Sequence, residues 1–219
     1  MKRKPTKPTG TTGSLRIAVG PQGASGEFQK LQFPRTKEDI EQFLVNGFLK
    51  AATERKLLPP AVITASQNEQ DNFDFDLKIG QRRKSLELME VAPLENVAGS
   101  YEASPATYGQ YDFAKDIFDK VLKKSERYRT STGEGLMLLL YVTDWRFVLS
   151  ETVVKLLRFW SAHQSHSFEG IYWYSPTAPD YGVAELIYPT AKKDWKTFDP
   201  EAYRDKVVIN LGPAKWQVF

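Results

Sequence analysis

Seven apolar residues in a row, Leu136-Met137-Leu138-Leu139-Leu140-Tyr141-Val142, constrain this chain more than any other segment. The run does not alternate with polar residues, so a strand made of it has no face to turn to water. It is far too short to cross a bilayer, which takes about 20 residues. The segment therefore predicts the central strand of an α/β sheet, covered by helices on both faces.

Neighbouring segments supply the helices. Pro34 stops any helix before it, and Thr36 with Asp39 makes a start like a capping box, Asp replacing the usual Glu. Ile40, Phe43, Leu44, Val45, Phe48, Leu49 and Ala52 then recur at helical spacing to about Glu54. A second helix is predicted from about Asp112 to Tyr128, with Phe113, Ile117, Val121 and Tyr128 on its apolar stripe, and a third from Glu151 to His163 behind an N-cap at Ser150. Leu15 to Val19, Phe168 to Tyr174, Val183 to Tyr188 and Val207 to Leu211 read as further strands, and Asp199-Pro200-Glu201 as the start of a short helix. Pro93 to Gln110 reads as a long loop. The expectation is a single α/β domain over residues 14–219 with a central mixed β-sheet flanked by helices. Residues 1–13, with Lys2, Arg3, Lys4 and Lys7 among Pro, Thr and Gly, read as a disordered basic tail, or in a sharper reading as an arm touching phosphates.

Composition narrows the chemistry. The chain has 219 residues, 41% of them hydrophobic, enough for one sizeable core. It has no cysteine, which removes disulfides, Cys-ligated zinc and thiol catalysis. The net charge of +3 permits a nucleic-acid partner without demanding one. No apolar stretch follows the basic N-terminus, so no signal peptide is visible, no membrane association is expected, and a cytoplasmic protein is the default. The stretch Gly20 to Gly26 lacks the Gly-Lys-Ser/Thr ending of a phosphate-binding loop. No Gly-x-Ser-x-Gly elbow accompanies the two histidines, His163 and His166, and their three-residue spacing has only Glu169 nearby to complete a metal site.

The acids are more informative. Phe73, Phe75, Leu77 and Ile79 alternate with Asp74, Asp76 and Lys78, and Lys84 to Ala92 reads as the return strand after a turn at Gly80-Gln81-Arg82-Arg83. With the turn centred between Gln81 and Arg82, Asp76 faces Glu87 and Asp74 faces Met89, all on one side of the hairpin. Like charges directly opposite destabilise a sheet unless the face meets water or a cation sits between them. Glu41 falls inside the apolar arc of the first helix, between Val45 and Phe48, where a carboxylate needs a partner; it either pairs with a nearby Arg or Lys or joins the hairpin acids.

Helix, strand with Asp, strand with Glu, helix, strand: this order, with an acid on the first helix, resembles the PD-(D/E)XK nuclease superfamily over roughly Thr36 to Val142. The resemblance implies a restriction-endonuclease-like core and metal-dependent hydrolysis of phosphodiester bonds in DNA or RNA. It implies Glu41 as the helix acid, Asp76 or Asp74 as the strand Asp, and Glu87 as the Glu of Glu-x-Lys. Mg2+ or Mn2+ would be held by Glu41, Asp74, Asp76 and Glu87, since Mg2+ takes hard oxygen ligands and keeps several waters. Glu87-Leu88-Met89 departs from the pattern by placing Met where the Lys belongs, and the frame Glu90-Val91-Ala92 does not recover it. Lys78, Lys84 and Lys124 are the candidate replacements, and Asp76, Glu87 and Lys78 make the expected catalytic set. The competing readings are a non-catalytic domain of the same fold that binds nucleic acid or protein, and an unrelated α/β domain whose acids form a solvated sheet face. Arg82-Arg83-Lys84 is a possible phosphate contact in the turn, and Asp144-Trp145-Arg146 lies where α/β sheets place ligand groups, past the end of the central strand.

Overall fold

A computed structural model describes residues 10–21, 23–59, 61, 63–68, 73–91, 107–128, 135–147, 149–190 and 195–209. In chain order the described elements are β1 (Gly13–Gly20), β2 (Gly23–Lys30), α1 (Lys37–Glu54), β3 (Ile63–Gln67), β4 (Phe75–Ile79), β5 (Arg82–Glu90), β6 (Thr107–Gly109), α2 (Gln110–Glu126), β7 (Leu136–Tyr141), α3 (Glu151–His163), β8 (Gly170–Ala178), β9 (Tyr181–Tyr188) and β10 (Val207–Ile209). Short 3-10 turns lie at Trp145–Phe147 and Pro200–Tyr203.

The central sheet has six strands in the order β3-β4-β5-β7-β8-β9. β3, β4 and β5 are antiparallel neighbours, β5, β7 and β8 run parallel, and β9 returns antiparallel at the far edge. Every residue of β7 is buried, as the unbroken apolar run requires. Alternation along the strands sends side chains to two separate cores. Leu138 and Leu140 join α2 and α3 on one face, while Met137, Leu139 and Tyr141 join α1 on the other.

Both capped helices start where their capping residues stand. Thr36 Oγ1 accepts a hydrogen bond from Asp39 N and donates one to Asp39 Oδ2, and Ser150 Oγ accepts from Val153 N. The segment read as a single strand at Leu15 to Val19 is half of a hairpin: β2, in the Gly/Ser-rich stretch, pairs with β1 across its full length. The low β propensity of Gly and Ser hid it. β3 also went unread, as did β6, which lies at the end of the segment taken for a loop and pairs with β10; residues 92–106 of that segment lie outside the described residues. So do residues 1–9 of the expected tail, whereas residues 10–12 are ordered against the body. There Asp144 is 1% exposed and accepts from Thr11 N at 2.9 Å, Arg146 Nε at 2.7 Å and Arg146 Nη2 at 2.9 Å. Asp144 therefore holds the base of the β1–β2 arm, a structural use of the position read as a ligand group.

Gly47 allows α1 to press onto the sheet. A Cβ there would fall inside contact distance of Tyr174 Oη and 2.9 Å from Tyr174 Cζ. Tyr174 is fully buried against Phe48, so it has little room to yield. Intrinsic helix propensity favours Ala over Gly by about 1 kcal/mol. Gly47→Ala should nonetheless lower stability, by about 1–3 kcal/mol through overpacking. Chemical denaturation of the two proteins checks the sign, and a more stable variant would mean that the helix does not approach Tyr174 this closely.

Candidate functional site

Hairpin register decides which acids meet. The turn is the pair Gly80-Gln81, joining Ile79 directly to its partner Arg82. Gly80 supplies the positive φ of +61° that the first position of a tight II′ turn needs. The expected four-residue turn is thus too long, and the pairing shifts by two positions: Asp76 lies opposite Ser85, not Glu87. A shift of two preserves the alternation, so Asp76, Glu87 and Met89 still share a face. The register stops one pair short of Asp74 and Glu87, at Phe75 and Leu86.

The ladder between β4 and β5 ends at Phe75 and Leu86, and Asp74 continues it with its side chain. Asp74 Oδ2 accepts a hydrogen bond from Leu88 N at 2.7 Å. Glu87 is 7% exposed, an uncommon depth for a carboxylate. It is paired: Lys124 Nζ lies 2.6 Å from Glu87 Oε1 and also donates to Leu88 O at 2.8 Å. Tyr128, one turn beyond Lys124, makes a hydrogen bond with Glu87. Burial pushes the Tyr128 phenol well above its usual range, and the charge of Glu87, the hydrogen bond to it and the charge of Asp74 push the same way. Phe73 stacks on Tyr128 with ring centroids 5.3 Å apart and closes one side of the cluster. The centre is therefore Asp74, Glu87, Lys124 and Tyr128, built from one end of β4, the middle of β5 and the C-terminal end of α2.

Other expected members lie elsewhere. α1 packs on the face carrying Phe75, Leu77, Leu86 and Leu88, so the sheet stands between Glu41 and the face of Glu87. Glu41 is paired locally with Lys37 at 3.6 Å and so takes a nearby basic partner on its own helix. Asp76 is exposed and accepts from Asn68 Nδ2 at 2.9 Å. Lys78 is exposed, opposite Thr64 and Arg83, four residues and about 13 Å along the strand from Asp74. Lys84 is engaged by Glu169 at 2.5 Å. His163 Nδ1 and His166 Nε2 contact the carbonyls of Phe159 and Ser161, both within α3.

Among the described residues, no group of three or more His, Asp or Glu side chains is placed to hold a metal ion. The four-acid set expected from the sequence is thus not gathered. Asp74 and Glu87 are the two carboxylates in this cluster, and both their charges act on Tyr128; Mg2+ is commonly bound through one or two carboxylates plus waters and substrate phosphates. Tyr128 was read only as apolar stripe, although its spacing of four from Lys124 already put both on one helix face.

No protein-family model matches this chain, and no curated protein or solved structure matches it significantly. No described helix is long and apolar enough to cross a membrane.

Replacing Lys124 by Met should leave Glu87 buried without its compensating charge and cost about 3 kcal/mol at neutral pH. The double variant Glu87→Gln/Lys124→Met should recover a good part of that loss. Thermal denaturation of the three proteins checks this, and equal melting temperatures for wild type and Lys124→Met would show that the pair does not form.

Proposed function

We propose that the chain is a divergent PD-(D/E)XK-like, metal-dependent nuclease that hydrolyses phosphodiester bonds in DNA or RNA, with Asp74, Glu87 and Lys124 as its working groups. The observation that carries this reading is the 2.6 Å contact of Lys124 Nζ with Glu87 Oε1. It puts a lysine beside the Glu from α2, where the strand position two residues on holds Met89. The order α1, β4–β5 hairpin, α2, β7 supports the same reading, with α1 and α2 on opposite sides of a mixed sheet.

Asp74 and Glu87 provide the hard oxygens that suit Mg2+ or Mn2+. Such an ion, when bound, supplies Lewis-acid polarisation of a phosphoryl oxygen and a more acidic water. Lys124 fixes the orientation of Glu87 and brings a positive charge to the place where a phosphate would carry its negative charge. An ammonium has three N–H donors. Glu87 Oε1 and Leu88 O use two, leaving one for a water or a phosphate oxygen. Tyr128 also holds Glu87 through its hydrogen bond.

The same ion pair favours a second reading, a non-catalytic binding domain of this fold. A Glu87 already neutralised by Lys124 needs no metal for stability.

Nicking of supercoiled plasmid in Mg2+ or Mn2+ separates the two. A nuclease nicks as wild type and loses at least about 100-fold in rate on Asp74→Asn, Glu87→Gln or Lys124→Ala, each checked for folding by circular dichroism. A folded wild type that leaves plasmid and single-stranded RNA intact in both metals contradicts the nuclease reading, as does a Lys124→Ala variant that cleaves at the wild-type rate.

A further inference from the structure

On the face that carries Glu87, the helical layer stops at β5. The core beneath α2 and α3 is built on β5, β7, β8 and β9, with no buried side chain from β3 or β4. The bare half of that face carries most of a groove of about 670 Å3 whose lining includes Thr64, Ser66, Asn68, Asp76, Lys78 and Arg83. Register arranges its side chains in rows across the three strands. Thr64, Lys78 and Arg83 make one row, and Ser66, Asp76 and Ser85 the next. Beyond them Asn68, whose N–H reaches Asp74 O at 3.1 Å, adjoins the Asp74–Glu87 pair. Successive rows are about 6.7 Å apart, so the Lys78/Arg83 row lies about 13 Å from the acids.

Charge is segregated along this face. Both cations stand at the hairpin tip, hydroxyls and amides occupy the middle, and the carboxylates with Lys124 stand at the other end. Asp76, the one acid between, is held by Asn68 Nδ2. Lys78 and Arg83 are exposed, and no salt bridge engages either among the described residues. A solvated antiparallel sheet face needs polar residues but not this sorting by sign. It fits a ligand whose phosphate sits at the acidic end with a divalent cation and whose further phosphates lie at the basic end.

We propose that one strand of a nucleic acid runs along the β4–β5 hairpin, its sugar–phosphate backbone anchored by Lys78 and Arg83 and by the hydroxyl of Thr64. This inference rests on the nuclease reading only for which end carries the scissile phosphate; the anchoring row stands on its own geometry. It assigns Lys78 to binding, not to the catalytic place expected from the sequence. Because these groups meet phosphates and not base edges, the grip is indifferent to sequence.

The test is fluorescence anisotropy with a fluorescein-labelled 20-nucleotide DNA strand, its duplex, and an RNA strand of the same sequence, titrated in EDTA at several salt concentrations. Wild type should bind at least one of the three, with affinity falling as salt rises. Lys78→Ala/Arg83→Ala should weaken binding equally across unrelated sequences and reduce the log–log salt slope by about 2, one per lost contact. A control pair on the helices, Lys115→Ala/Lys155→Ala, removes the same net charge and should leave the slope unchanged. An unchanged slope in the hairpin variant, an equal drop in the control, or no wild-type binding to any of the three overturns the proposal. The two readings fail separately. Binding that depends on Lys78 and Arg83 without cleavage in any metal upholds the anchor and defeats the nuclease. Cleavage by wild type with a hairpin variant of unaltered slope does the reverse.

Discussion

Strand β7 leaves no side chain for water, and the architecture around it answers that constraint. Its two faces require two apolar layers, so α1 must lie on one side and α2 with α3 on the other. The same division sorts the acids. A carboxylate on α1 belongs to one face, while Glu87, alternating with Leu86 and Leu88, belongs to the other, and α2 is the helix within its reach. The meeting of Lys124 with Glu87 follows from packing around β7 as much as from any choice at the site itself.

Buried charge appears just past the end of β7 and in the middle of β5, and is handled differently at each. Asp144 takes its partners from Arg146, two residues on, and from the backbone of Thr11, so it fastens the N-terminal arm to the sheet. Glu87 takes Lys124 from α2 and Tyr128 from just past the end of that helix, and the charge of Asp74 acts on the same phenol. Removing a partner from a buried pair strands a charge at a cost of several kcal/mol, whereas replacing both by apolar groups is often tolerated. A second carboxylate beside such a pair adds repulsion, which the hydrogen bond from Leu88 N to Asp74 Oδ2 offsets. Asp74 thus has a structural use, and the proposal adds to it a role in holding a cation.

Much of the fold was legible because its signals are local. The apolar run at Leu136–Val142, the caps at Thr36 and Ser150 and the helical stripes of α1 and α3 gave elements whose bounds the structure shows to within a residue or so. The hairpin register was not legible, because a glycine turn of two residues and a turn of four fit the same alternation, and only Gly80's left-handed backbone distinguishes them. The site was half legible. Parity put Asp76, Glu87 and Met89 on one face, but which acid stands opposite Glu87 depends on that register. Glu41 was placed by its own helix's arc, which says that it faces a sheet but not which face. Lys124 was one of three lysines considered, and nothing in the chain ranks it first, since its contact with Glu87 crosses from helix to strand over 37 positions of sequence. β2 escaped notice because Gly23, Ser25 and Gly26 suit turns better than strands.

The proposed activity requires Asp74 and Glu87 to form one cation site beside Lys124. Anomalous diffraction from crystals grown with Mn2+ tests this most directly. The account predicts an anomalous peak with carboxylate oxygens of both Asp74 and Glu87 at about the 2.1 Å expected for a small divalent ion. Crystals that show no peak there at millimolar Mn2+, with Lys124 still seated on Glu87, would contradict it.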